Sequence, residues 1–496
     1  MNKKIIFWID SKLIYFGLAY YLQKKTNADF FAIIDITNKT KKFFENQKLV
    51  NFQKKWFYFD HVKLKKSKPD LEYLSYIEKK YGLNLWELAI NERIFYRFNK
   101  FHKFSTDEIL SILEQECKLF EKIIDEIKPT YLITKETIQH KDHIFYEMCK
   151  KSGTKILMLS QPKIGYRCII SSEPQKFDFR KKLDEIECKN RSYDDILKWF
   201  NSFSALKQQK DFTSTFATSK SNRLKAALQF LTTNNSNPET HYTYYGRSKL
   251  RVLINEINSV LNKNRRESFM KKNFLTKIDN NEKFVYFPLA VDEERNLLLG
   301  APFYTNQIEN IRHVVKSLPA DYKLYVKETP SHVNRQWRDI SEYEEMMSIP
   351  NVRLIHPSVS PNEIYKKTSL VITIAGSSAL EAAFHKKPSI VFNELTYSIL
   401  PSVYTVKSFN ELSNAIRISL NKTVDEADLD RYITLLDENS FVFDQFELET
   451  MEHDYFFFGG HLIDVDIDSS AMEYYFTRNE LVFEKLASEF FKKLNF

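Results

Sequence analysis

Short apolar runs separated by longer stretches of helical periodicity recur along most of this chain. In the first 170 residues the runs are IIFWI (5–9), FFAIID (30–35), WFYF (56–59), YLIT (131–134) and KILML (155–159). Between them, EILSILEQECKLFEKIIDEI (108–127) is apolar at i, i+3, i+4 and i+7, which predicts an amphipathic helix stopped by Pro129. A second series follows: VYFPLAV (285–291), KLYVK (323–327), LVITIA (370–375) and SIVF (389–392). Short buried strands alternating with helices predict parallel sheets covered on both faces. In such sheets a ligand sits at the carboxyl ends of the strands, where loops and helix N-termini converge.

The stretch between the two series differs. From about 176 to 282 it is rich in Lys, Asn and Ser, with helical pieces at 193–206 and 249–264 and a loop signal in TTNNSNPET (232–240). The expected organisation is a first Rossmann-like lobe (1–175), a helical insert or connector (176–282), a second Rossmann-like lobe (283–425) and a C-terminal tail (426–496). The tail ends in a helix, NELVFEKLASEFFKKLNF (479–496), with one apolar aromatic face and several lysines. Docking on the first lobe is its expected fate, and contact with an anionic membrane surface is the alternative.

At 496 residues the chain is too long for one ordinary core. Hydrophobic content of 43% and charged content of 28% describe a globular protein rather than a disordered one. The net charge of +8 is mild and suits an anionic ligand or lipid surface, or simply a lysine-rich composition. Lysines that look dispersed, with no RNA- or DNA-binding motif, speak against a nucleic-acid partner. Four cysteines without CxxC spacing indicate neither a disulfide framework nor a zinc site, and a reducing cytoplasm is the simplest home. The apolar N-terminus is interrupted by Asp10 and Lys12 and lacks a small-residue cleavage site, so a strand feeding a helix is expected there rather than a signal peptide. No run reaches the roughly 18 apolar residues of a membrane span. GxGxxG after the first strand, GxxxxGK[ST] and HExxH are all absent, and nothing calls for a metal or a resident cofactor.

Candidate chemistry collects after the strands. Gly376-Ser377-Ser378 sits where a strand turns into a helix, and exposed N–H groups at such a turn can hold a phosphate. Ser378 and Glu381 also have the spacing of a capping box, which would need no ligand. Lys327 and Glu328 stand at the carboxyl end of the KLYVK strand, with His332 just beyond: Lys327 could neutralise a leaving phosphate and His332 hydrogen-bond it, or Lys327 and Glu328 could form a solvated ion pair of little worth. In the first lobe Glu136 and His140 follow YLIT and Asp10 follows IIFWI; each could accept a proton from an attacking hydroxyl, or serve only as a cap or loop residue. Arg167, in KIGYR after the next strand, is a candidate for an anionic acceptor group.

YFPLAVDEE, APFYTNQIENI, LPADYKLYVKETP, IPNVRLIHP, VITIAGSSALEAAFHKKPSIVF and YSILPSVY, in that order, resemble the capsular and surface polysaccharide biosynthesis proteins, including the Kdo-transferase-like enzymes. The resemblance is good across about 284–405, weaker over the first 170 residues, and does not reach the insert or the tail. It implies an α/β, GT-B-like architecture with two lobes facing a cleft. It implies donor contacts around Lys327 to Pro330 and at Gly376, Ser377, Ser378 and Glu381, with acceptor or catalytic groups at Glu136 and His140. The implied activity is glycosyl transfer in capsule or lipopolysaccharide synthesis, from a nucleotide-sugar donor to a glycan or glycolipid acceptor. A CMP-activated ulosonic acid such as Kdo is the leading donor, and cytoplasmic location or the inner membrane face is implied. A sugar-nucleotide epimerase, a polyol-phosphate transferase and a non-catalytic assembly subunit are the alternatives. One departure bears on the donor: the family usually carries His-Pro after the Lys-Glu pair, and this chain has Thr329-Pro330.

Overall fold

The structure, a computed structural model, describes residues 2–64, 68–179, 182–205, 207–208, 220–279, 281–329 and 338–494. The strands among them are β1 (Lys4–Ile9), β2 (Asp29–Ile34), β3 (Phe52–Phe57), β4 (Tyr131–Lys135), β5 (Lys155–Ser160), β6 (Arg167–Ser171) and β7 (Phe284–Pro288). They continue with β8 (Lys323–Lys327), β9 (Val352–Ile355), β10 (Leu370–Thr373), β11 (Ser389–Val391), β12 (Val403–Thr405) and β13 (Phe441–Val442).

They build two sheets. The first runs β13-β6-β5-β4-β1-β2-β3 and the second β12-β11-β10-β7-β8-β9. Pairing is parallel from β5 to β3 and throughout the second sheet; β6 lies antiparallel to β5, and β13 antiparallel to β6. Each parallel run starts in the middle, winds two strands one way, then returns to wind the other way. This is the doubly wound order, and it opens a crevice between β1 and β4 in one lobe and between β7 and β10 in the other. The expected α/β class with two Rossmann-like lobes is what the chain adopts.

Local chemistry explains the elements. Residues 5–9 of β1 are at most 1% exposed, as a strand covered on both faces requires. The helix Thr106–Ile127 begins with a reciprocal capping box: Glu108 N–H donates to Ser105 Oγ at 3.3 Å, and Ser105 N–H donates to Glu108 Oε2 at 2.8 Å. It ends on Lys128 in the left-handed region (φ 49°), immediately before Pro129. The WFYF segment is divided: β3 stops at Phe57 and Tyr58–His61 forms a single helical turn.

The C-terminal tail is shared between the lobes: its first helix, Glu426–Asn439, buries Leu429, Ile433 and Leu436 in the core of the second lobe, and the part from β13 onward belongs to the first. β13 extends the first lobe's sheet, and the helix Glu480–Lys493 packs on the helix Ile14–Leu22 next to β1. The rings of Tyr21 and Phe483 stack at 5.8 Å, and a Cβ on Gly17 would meet Phe483 Cε1 at 2.2 Å, so only glycine permits this approach. Phe483, Leu486 and Phe490 are completely buried there, each worth about 1.5–3 kcal/mol of transfer free energy. The docked fate expected for the terminal helix is thus met. Among the described residues, no helix is long and apolar enough to cross a membrane.

Candidate functional site

The carboxyl ends of both sheets face a single cavity of about 590 Å³. Its walls come from the segments following β1, β4 and β5 in the first lobe, and from those following β7, β8 and β10 in the second. Both crevices defined by the strand order therefore open into the same space. Gln208 of the insert and Gln445, Phe446 and Glu449 of the tail complete the lining.

On the second-lobe side, Lys327, Glu328, Gly376, Ser377, Ser378 and Glu381 all line the cavity. Lys327 is 3% exposed and its Nζ donates to the Val359 carbonyl at 2.6 Å. The helix Ser378–Phe384 starts with Ser377 at its cap, and the capping pair expected between Ser378 and Glu381 does not form. Glu381 instead accepts from Ser377 Oγ at 3.0 Å and from Tyr365 OH at 2.8 Å. Burial raises its carboxyl above the ordinary range, against the pull of Tyr365, Ser377 and Lys327. Gly376 is required by space: a Cβ there would stand 2.7 Å from Thr373 Oγ1, and its carbonyl accepts from Tyr397 OH at 2.5 Å.

Glu328 borders the cavity, but its carboxylate is committed elsewhere. Arg338 Nη1 donates to it at 2.8 Å and Tyr343 OH at 2.7 Å, while Arg338 Nη2 reaches Asp292 at 2.6 Å. This buried cluster pins the segment after β8, which makes Glu328 a positioning residue rather than a ligand contact. His332 lies outside the described residues.

On the first-lobe side, Glu136 lines the cavity and is held by three donors: Ser160 Oγ, Gln161 N–H at 3.2 Å and Gln175 Nε2 at 2.9 Å. The other first-lobe candidates do not line it. Asp10 is buried behind Lys135, which forms an ion pair with it and does reach the cavity. Burial alone would raise Asp10, but Lys135 and Lys12 hold it below the ordinary carboxylate range. His140 is 1% exposed, clamped between Glu92 at 2.7 Å and Glu116 at 2.9 Å. Burial would lower it, but Glu116 and Glu92 prevail and lift it to about 10, so it is a structural imidazolium. It opens the helix His140–Lys151, whose first-turn residues His140, Lys141 and Asp142 are all buried. Arg167 starts β6 and is covered by the tail: it pairs with Asp437 at 3.2 Å, donates to Ser440 Oγ at 2.8 Å and lies over the Phe203 ring. It is an anchor for the tail, not an acceptor contact.

Two cations were missed by sequence reasoning. Lys163, four residues before Arg167 in the same KIGYR segment, and Arg295, after β7, both line the cavity. Neither has an ion-pair partner within 4.0 Å among the described residues, and Arg295 Nε is buried without a hydrogen bond. Burial lowers Lys163 to about 8; Glu136 and Glu294 offset part of this, and the Arg295 charge adds to it. Gln175, 6% exposed, also brings an unpartnered buried carbonyl oxygen to the lining. By contrast, Lys12 is paired with Glu449 at 2.9 Å. Lys163 sits in a tight turn at φ 61°, and its direction into the cleft is set by that turn.

Together, the doubly wound pair of lobes and the cavity they share define a two-lobed α/β protein. Residues 190–402 match the family described as capsule polysaccharide biosynthesis protein, the family that the sequence resembles. The match begins well inside the insert, which the resemblance had left uncovered. No curated protein matches the chain. Among solved structures, a UDP-GlcNAc 2-epimerase from Methanocaldococcus jannaschii is 14% identical over 88% of this chain and 100% of its own, with a TM-score of 0.24. A Thermosulfurimonas dismutans KpsC, a beta Kdo 2,7 transferase, is 10% identical over 71% and 87% respectively, with a TM-score of 0.29. These scores are too low for either likeness to bear on the chemistry.

Proposed function

We propose that the protein is a glycosyltransferase of surface polysaccharide synthesis, with its nucleotide-sugar donor bound in the cavity between the lobes. The observation that carries this reading is the pairing of two unneutralised cations, Lys163 and Arg295, with the Gly376–Ser378 turn and Lys327 on the facing wall. A donor phosphate at the turn would meet the Ser377 and Ser378 hydroxyls and the Lys327 charge. A second anionic group would meet Lys163 and Arg295. A CMP-linked ulosonic acid has both, a phosphate ester and a sugar carboxylate, which favours that donor class. An acceptor hydroxyl attacks the anomeric carbon, the bond from that carbon to the phosphate oxygen breaks, and the nucleoside monophosphate leaves with the electron pair. Glu136, oriented by its three donors, takes the proton of the attacking hydroxyl.

A thermal-shift series with CMP, UDP, CDP and GDP tests the donor site. A nucleotide at a hundred times its Kd adds about 2.7 kcal/mol of stability, so CMP is expected to raise Tm most. No rise with any of the four would refute the donor site and favour a non-catalytic subunit, the reading that Thr329 in place of the family's histidine suggests. A rise with UDP alone, together with epimerised rather than transferred sugar, would favour the epimerase alternative.

A further inference from the structure

The helices Lys220–Thr232 and Lys249–Asn273 of the insert form an antiparallel hairpin. Arg223 lies 3.9 Å from Glu256, and Lys249 Nζ donates to the Leu231 carbonyl at 2.7 Å. Only Arg266 and Met270 of the longer helix are buried. What the hairpin exposes is unusual. Leu224, Leu228, Leu250 and Ile257 are between 62% and 73% exposed, and Ile254 and Leu261 are exposed as well. Leu224, Leu228 and Leu231 are four and three residues apart; Leu250, Ile254, Ile257 and Leu261 are spaced by four, three and four. Each set makes one stripe along its helix. Ordinary surface helices bury such stripes.

The same hairpin holds the chain's excess charge. Its two helices contain ten of the 73 Lys and Arg and only two of the 65 Asp and Glu, so the rest of the chain balances to zero. The dispersed lysines of the sequence reading are thus not evenly placed. Both lobes support it: Arg251 reaches the Phe101 carbonyl in the first lobe at 3.4 Å, and Arg266 the Arg338 carbonyl in the second at 2.9 Å.

We infer that this hairpin is a membrane-docking surface for anionic phospholipid, its aliphatic stripes entering the headgroup boundary and its cations meeting lipid phosphates. Exposed aliphatic stripes on a strongly basic helical element are the signature of an interfacial segment. A second copy of the chain is the wrong occupant, because a self-complementary interface would set two strongly positive hairpins against each other. Nucleic acid suits the charge but not the aliphatic side chains, which offer no stacking surface. This inference stands on the hairpin alone and is independent of the donor site.

The full-length protein is sedimented with vesicles of phosphatidylcholine, with and without about one-third phosphatidylglycerol. Binding is expected to the anionic vesicles, with at least tenfold less to the neutral ones and release at high salt. At about fivefold per basic residue, Lys225→Gln/Lys263→Gln/Arg265→Gln should weaken it by about a hundredfold. Leu224→Ser/Leu228→Ser/Ile254→Ser/Ile257→Ser leaves charge unchanged and should also abolish tight binding, at an unaltered Tm because these side chains are exposed. Equal binding to both vesicle types, or none to the anionic ones, overturns the inference. So does a dimer in solution that the serine variant dissociates, or tighter binding to single-stranded RNA than to the anionic vesicles.

Discussion

Replacing Lys163 by Gln separates a ligand-binding cation from a structural one, because the two roles predict opposite effects on stability. Lys163 is held charged where burial has lowered it from 10.5 to about 8. At about 1.4 kcal/mol per pH unit, that gap is an energetic cost of about 3 kcal/mol to the folded state. The side chain keeps part of its exposure, and solvent screening reduces the figure to about 1–2 kcal/mol. The sign follows from proton counting: between pH 8 and 10.5 the unfolded chain carries a proton that the folded one lacks, so the cost is full below pH 8 and fades as pH rises to 10.5. Lys163→Gln should therefore be more stable than the parent by about 1–2 kcal/mol at pH 7, and equal to it above about pH 10.5. Urea denaturation followed by tryptophan fluorescence reads this directly, since Trp8 and Trp56 are buried reporters in the same lobe. Ligand binding should move the other way. Losing a charged hydrogen bond costs about 1.5–3 kcal/mol, or roughly ten- to a hundredfold in affinity for a CMP-linked ulosonic acid, whose carboxylate Lys163 would meet. The parent's affinity should also decline as pH rises past about 8, while the variant's stays flat. A variant that is less stable without ligand, or that binds the CMP-linked ulosonic acid as the parent does, would refute the reasoning.

Glu136→Gln is expected to lower sugar transfer by about 10²–10⁴-fold while leaving the CMP-induced rise in Tm intact; a loss of nucleotide binding as large as the loss of rate would remove Glu136 from the acceptor step. His140 predicts a pH effect without a catalytic one. Its ring is raised to about 10 by Glu116 and Glu92 after burial is overcome, so its contribution to stability is whole below pH 6.5 and is lost as pH rises through about 10. His140→Gln should cost on the order of 3–5 kcal/mol at pH 7, with the difference closing by about pH 10, and transfer per folded molecule unchanged. A drop in rate at unaltered stability would instead return His140 to the reaction.

The residues legible in the sequence share a physical property: each follows directly from where a parallel strand ends. Lys327 is the last residue of β8, and Gly376–Ser378 follow β10, the strand beside the second crevice. A parallel sheet fixes which way such ends point, so position along the chain was enough to place these residues in the cavity. Asp10, His140 and Arg167 have equally good sequence positions, but their directions depend on partners far away in the chain. Arg167 pairs across β6 with Val442 of β13, 275 positions later, and the same tail carries Asp437 and Ser440 that consume its guanidinium. Lys163 escapes that cover because the turn at φ 61° aims it back toward the cleft before β6 begins. No periodicity or spacing rule announces a left-handed lysine.

The tail shows why the two lobes cannot be treated as independent halves. The helix Glu480–Lys493 supplies core to the first lobe, while Glu449 pairs with Lys12 at 2.9 Å and Asp444 accepts from Gln208 at 2.7 Å on the cavity wall. Gln208 in turn accepts from Gln161, two residues before Lys163, at 2.8 Å. The last seventh of the chain thus helps hold the turn that presents the lysine without an ion pair. The charge that would receive a donor anion is therefore set by segments more than 200 residues apart, and the cavity can form only when the whole chain has closed on itself.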